Sequence, residues 1–131
     1  MARLPNADVL QRLADAFLAG DGPALDALFT DGAIWHEPGS APISGDHNGK
    51  AAIFEFFGRL GELSGGSFRP DIHDICASDA HGVVLYHSTG KRNGRELRTP
   101  QVLIAHIDNG KIAEVWNTIA GDEPAWNDFW K

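Results

Sequence analysis

Cysteine occurs once in this chain, at Cys76, so no internal disulfide can form. Its place in DIHDICAS, a run with strand character, predicts a small core residue and not a nucleophile. Basic charge is also scarce. Eleven Lys and Arg against eighteen Asp and Glu leave a net charge of −7, and the bases are scattered. A nucleic-acid partner would need a clustered basic face, and an anionic membrane surface would repel such a chain. Long apolar runs are missing as well. MARLPNADVLQRLADAFLAGD interrupts its apolar residues with Asn, Asp, Gln and Arg, unlike a signal peptide, and no segment has the length of a membrane span. A cytoplasmic location is therefore expected. No repeat, linker or low-complexity stretch divides the chain, and residues 1–131 read as a single domain.

What is present suits a soluble globular fold: 43% apolar and 22% charged residues. A chain of this length buries about two thirds of its unfolded surface, enough for one core. Val9, Leu10, Leu13, Phe17 and Leu18 recur at helical spacing over residues 7–19, with Asn6 as the expected cap and Gly20 as the stop. Asp21 and Pro23 open a second helix that carries Leu25, Leu28 and Phe29. TDG at 30–32 reads as a turn and AIWHE as a short strand. Asn48 is the expected cap of a third helix, AAIFEFFGRL. The period then changes. DIHDICA, GVVLYHST, ELRTPQVLIAHI and KIAEVWNTI are four strand-like runs, the last three joined by turns containing Asn-Gly. Three helices and a short strand followed by an antiparallel meander make an α+β domain.

The stretch WHEPGSAPISGDHNGK raises the functional question, because Glu37 sits among bulky apolar neighbours. By its residues alone, Glu37 either faces water, where Arg12 or Lys50 would pair with it, or faces a pocket. SGDHNGKA has too few residues between its glycines, and an Ala after the Lys, so it is not a phosphate-binding loop.

AGD between the first two helices, LFTDGA before the strand, the Glu37–Pro38 pair, SG followed by GKAAIFEFF, and the later HIDNGKIAEVW together carry a resemblance. They resemble the ketosteroid isomerase and SnoaL-like group of the nuclear-transport-factor-2 (NTF2-like) superfamily. The tail DEPAWNDFW is similar to C-termini of some SnoaL-like members. The resemblance implies a cone-shaped α+β fold, three N-terminal helices packed on a curved, mostly antiparallel sheet around a pocket. It also implies a homodimer formed through the sheet. In the isomerase members the carboxylate before the proline is the general base, which here is Glu37. Period-two alternation then places Trp35 inward beside it and His36 outward. Leu13 and Leu103 stand where the isomerases carry their tyrosine and aspartate donors. Inward positions of the later strands would be Tyr86, Ser88, Gln101, Leu103, Val115, Asn117 and Ile119.

The expected function is cofactor-free acid–base chemistry (isomerisation, cyclisation or dehydration) on a small, largely apolar carbonyl- or hydroxyl-bearing molecule. Glu37 would move the proton with Asn117 and Tyr86 as catalytic partners. Gln101 and Ser88 would orient the substrate, and Trp35, Phe17, Leu13, Phe54, Phe57, Leu103 and Ile119 would line the pocket. Two other classes stay open. One is an epoxide-hydrolase-like enzyme in which Glu37 activates water, and the other is a non-catalytic binding or dimerisation domain with a plugged pocket. His36, His87 and His106 face outward by parity and match no local ligand motif, so no metal is expected. One bulge would turn His87 or His106 into the pocket. Trp126, Phe129 and Trp130 are expected to pack over the pocket mouth or against a partner subunit.

Overall fold

Glycine and proline punctuate the chain where the elements break. A computed structural model describes residues 4–131. Its elements are α1 (Pro5–Ala19), α2 (Gly22–Leu28), β1 (Phe29–Glu37), β2 (Gly45–Asn48), α3 (Lys50–Leu63), β3 (Arg69–Ala77), β4 (His81–Arg92), β5 (Arg95–Asp108), β6 (Lys111–Ile119) and α4 (Glu123–Phe129). The expected α+β order holds, with β2 and α4 added to it. Gly20 ends α1 in the left-handed conformation, and the Asp21 carboxylate accepts from the Ala24 N–H at 3.1 Å to cap α2.

Two expected caps are not caps. Asn6 lies inside the first turn of α1, after Leu4. Its Nδ2 donates to the carbonyls of Ser78 and Asp79 at 2.9 and 2.8 Å, tying the helix start to the β3–β4 turn. A buried amide with two long-range acceptors gains more there than at a solvent-exposed helix end. Asn48 ends β2 instead, pairing opposite Ile34, and Gly49 precedes α3.

The sheet order is β2-β1-β6-β5-β4-β3. Every neighbouring pair is antiparallel except β1 with β6, which is parallel. Asn93-Gly94 and Asn109-Gly110 make the two tight turns, all four residues at positive φ as such hairpins require. TDG does not form a separate turn. It lies within β1, where the register to β6 shifts between Phe29 and Ile34 and bends the strand.

One face of the sheet is buried. Val84, Tyr86, Ser88 and Gly90 of β4, Leu97, Thr99, Gln101, Leu103, Ala105 and Ile107 of β5, and Ile112, Val115 and Asn117 of β6 all point into it. Leu10 and Leu13 of α1, Ile53, Phe56 and Leu60 of α3, and Trp126, Phe129 and Trp130 at the C-terminus join the same cluster. Cys76 is not in this core. A register shift between Ile72 and Asp74 reverses the alternation of β3, so Ile75 turns toward the core and Cys76 is exposed. None of the described helices is long and apolar enough to cross a membrane.

Candidate active site

Alternation along β1 decides where the acid goes. Ala33, Trp35 and Glu37 are buried, while His36 points to the other face. There His36 Nδ1 lies 2.7 Å from an Asp46 oxygen and Nε2 lies 2.6 Å from a Glu114 oxygen, with the ring stacked on Trp116. Those two carboxylates, Glu114 foremost, raise the His36 pKa. Lys50 pairs with Asp26 and Asp31, not with Glu37.

Glu37 is 6% exposed and is held by neutral donors. Trp35 Nε1 donates to Glu37 Oε1 at 2.9 Å, and Asn117 Nδ2 donates to the same oxygen at 3.1 Å. Tyr86 donates its hydroxyl to Asn117 Oδ1 at 2.9 Å. This order fixes the amide: a donated tyrosine hydroxyl must meet the carbonyl oxygen, which leaves the NH₂ for the carboxylate. No hydrogen bond from the described residues reaches Oε2.

Burial is the dominant influence on Glu37 and pushes its pKa up to about 7, against a smaller lowering by the Trp35 and Asn117 donors. Near neutral pH the group therefore exists in both protonation states. Burial, followed by the Glu37 charge, also drives the Tyr86 pKa upward, so the phenol remains a donor.

The carboxyl forms part of the wall of a cavity of about 70 Å³. Leu13, Phe17, Trp35, Phe57, Tyr86, Leu103 and Asn117 share that wall, and Phe56, Leu60, Phe68, Ile72 and Trp126 are among the residues that extend its apolar surface. Four expected members lie elsewhere. Phe54, three residues before Phe57 on α3, lines an outer groove and meets Phe29 edge-on at 6.0 Å. Ser88 and Gln101 are buried on the same sheet face but bond each other, Ser88 Oγ donating to Gln101 Oε1. That end of the face is covered by the C-terminal segment, whose Phe129 ring packs on Gly90. Ile119 is half-buried at the end of β6. His87 and His106 keep their outward parity, and His106 lies 5.0 Å from the His81 ring.

Trp126 was expected, with Phe129 and Trp130, over the pocket mouth or against a partner subunit, and it lies in the cavity wall. Its place in the wall depends on α4, which Asp122 caps by accepting from the Ala125 N–H at 3.1 Å. Phe17, Phe57 and Phe68 border both the cavity and the outer groove of about 560 Å³, so this aromatic partition separates the two spaces. The described residues contain no group of three or more His, Cys, Asp or Glu side chains arranged to hold a metal ion.

The chain matches the model of the SnoaL-like domain over residues 10–115. No curated protein matches it. Among solved structures it is similar to Bal32a from a soil-derived mobile gene cassette, at 34% identity and a TM-score of 0.93, covering 97% of each chain. It is also similar to an NTF2-like protein from Burkholderia xenovorans LB400, at 20% identity and a TM-score of 0.84, covering 100% of this chain and 99% of that one. A third similar structure is TerC co-crystallised with polyporic acid, at 18% identity and a TM-score of 0.82, covering 96% and 98%.

Proposed function

The chain belongs to the SnoaL-like domain family, and from that premise we propose that it is a cofactor-free acid–base enzyme acting on a small, largely apolar carbonyl compound. One observation carries the reading: Glu37 is buried in an apolar cavity, held through Oε1 by Trp35 and Asn117, with Oε2 free of donors from the described residues. A carboxylate raised to about pH 7 is a stronger base than one in water, and its conjugate acid is still able to return the proton. Oε2 takes the proton from a carbon beside the carbonyl. Trp35 on one side and the Tyr86–Asn117 pair on the other hold the carboxyl in one orientation during both transfers. Isomerisation, cyclisation and dehydration all begin with this abstraction. The crystal structure of TerC with polyporic acid supports an oxygen-bearing organic ligand for a fold of this kind.

The test is proton exchange in deuterated buffer, beginning with simple aryl ketones and enlarging the panel toward phenolic and polycyclic ketones. Glu37→Gln keeps the shape and the Oε1 contacts but removes the base. Exchange should fall by about 10²- to 10⁴-fold in that variant. Unchanged exchange in Glu37→Gln would sink the general-base reading. The pH profile of kcat/KM should rise through about 7, as the free enzyme's Glu37 ionises.

The non-catalytic reading has one observation in its favour. A volume of about 70 Å³ is well below the roughly 300–1,000 Å³ of ordinary ligand sites. A larger ligand requires the Phe17–Phe57–Phe68 partition to part and join the cavity to the groove. Leucine at Phe17 and Phe57 should speed ligand association if the partition is the entry, and leave it unchanged if the cavity is a closed core.

A further inference from the structure

The two oxygens of the Glu37 carboxyl have different surroundings. Oε1 accepts from Trp35 Nε1 at 2.9 Å and from Asn117 Nδ2 at 3.1 Å, while Oε2 accepts nothing from the described residues. Some unpartnered polar atoms of the described residues are shut off from any accessible surface: Thr99 Oγ1, Gln101 Nε2, Trp126 Nε1 and Trp130 Nε1. Glu37 Oε2 is not one of them. It has no partner and yet keeps open surface, and the space that Glu37 borders is the cavity of about 70 Å³.

No positive charge answers this oxygen among the described residues. The cavity wall draws on α1, α3, α4 and five of the strands, and none of its members is Lys, Arg or His. Tyr86 is the other titratable wall residue, and its hydroxyl is committed to Asn117. His47 of β2 stacks on Phe56, but its Nε2 lies 2.9 Å from the Ile43 carbonyl oxygen. His36, Asp46 and Glu114 bond one another on the opposite face, and Lys50 pairs with Asp26 and Asp31. The polar groups that hold Glu37 are all neutral, and both sit on Oε1.

We infer that the cavity takes a small apolar amine in its protonated form, with the ammonium bonded to Glu37 Oε2 and the carbon chain against the apolar wall. This rests on the reading of the cavity as a ligand site, and not on Glu37 acting as a base. Pairing two charges in an apolar place ordinarily strips water from both, which cancels much of the attraction. Here the fold has already stripped the carboxyl, so only the ammonium is dehydrated on entry. Aromatic rings also attract a cation over their faces, as aliphatic walls do not, and Phe17, Trp35, Phe56, Phe57 and Phe68 bring rings to this cavity. An anionic ligand is repelled by the same oxygen, and a neutral alcohol gains a hydrogen bond without the charge. The volume restricts an entering amine to a short chain. Below about pH 7, entry of the ammonium sends the carboxyl proton into solvent. The bound amine occupies Oε2 and so blocks any proton transfer made there.

The experiment uses the full chain labelled with ¹³C at its glutamate carboxyls. The signal missing in Glu37→Gln identifies Glu37. Propylamine is titrated at about pH 6 and about pH 8, beside 1-propanol. Propylamine should lower the apparent pKa of Glu37 by at least about one unit. It should bind about tenfold more tightly at the higher pH, because an alkylammonium stays protonated through this range, as lysine does, while Glu37 ionises. The affinity of 1-propanol should not rise with pH. At about pH 8, Glu37→Gln should weaken propylamine at least about tenfold and far more than it weakens 1-propanol. If propylamine does not bind, binds no better than 1-propanol at about pH 8, or binds Glu37→Gln equally well, the inference is overturned. Deuterium exchange at a ketone α-carbon, measured in parallel, separates the two claims. Amine binding without exchange keeps the ammonium site and removes the Glu37 base. Exchange without amine binding does the reverse.

Discussion

At the scale of single residues, the informative feature is that only neutral groups hold Glu37. No cation among the described residues lowers its pKa, so burial prevails and the folded chain binds this proton more tightly than the unfolded one. The sign of the linkage follows. A carboxyl raised from 4.5 to about 7 gives stability that is complete below about 4.5 and is lost as pH rises through about 7. At about 1.4 kcal/mol per pKa unit, the loss is roughly 3 kcal/mol. Glu37→Gln should therefore raise the melting temperature at about pH 8 and change it little at about pH 5, which thermal unfolding at the two pH values checks. Asn117→Leu removes a donor that favours the ionised form, so the inflection of the activity profile should move above 7. A profile that stays in place would mean that Asn117 does not act on the carboxyl. Glu37 itself was legible in the sequence because an acid beside a proline at a strand end stood out against its neighbours. Asn117 was named beside Tyr86 as its catalytic partner, but the hydrogen bond itself was not legible, because it depends on registers between distant strands.

Elements show where local signals were sufficient and where they were overruled. The Asn-Gly turns and, except for the exposed Leu18 at the end of α1, the helical stripes of α1 and α3 formed as their sequences dictate, since their causes are contained within a few residues. Asn6 and Cys76 went against expectation for non-local reasons: acceptors on the β3–β4 turn for one, a bulge in an edge strand for the other. α4 is the consequential case. At seven residues it is too short to be stable alone, and it exists because Trp126, Phe129 and Trp130 bury against the sheet. Gly39 is the hinge point of this contact. It has φ +85°, and an added Cβ would lie 2.5 Å from Asn127 Oδ1. Gly39→Ala should cost at least about 1–2 kcal/mol and should also loosen Glu37, seen as reduced exchange activity together with a lower melting temperature. Gly94→Ala, at a hairpin turn far from the cavity, should lower stability without affecting the activity of the folded fraction.

At the scale of the molecule, the two faces of the sheet have different chemistry. The covered face holds the cavity. The other carries Val83, Leu85, Val102 and Ile104, each half-buried, and Trp116 at 37% exposure. We propose that this outer face joins two copies of the chain, because a contiguous apolar patch on a sheet gains by being covered. Trp116→Glu should shift sedimentation toward the monomer without loss of helix or strand content. Unchanged sedimentation would remove this surface from consideration. His36, stacked on Trp116 and flanked by Asp46 and Glu114, links the same face to β1.

The sequence by itself determined the α+β order, the meander, the family resemblance and the inward face of β1, because period, turn chemistry and alternation are local properties. Tertiary structure alone decided the single hydrogen-bonded chain from Tyr86 through Asn117 to Glu37, which spans three strands. It likewise decided the size of the cavity, the seating of Trp126 in its wall and the raised pKa of the acid. Those depend on which side chains from distant elements exclude water from one carboxyl, and desolvation is a property of the packed whole.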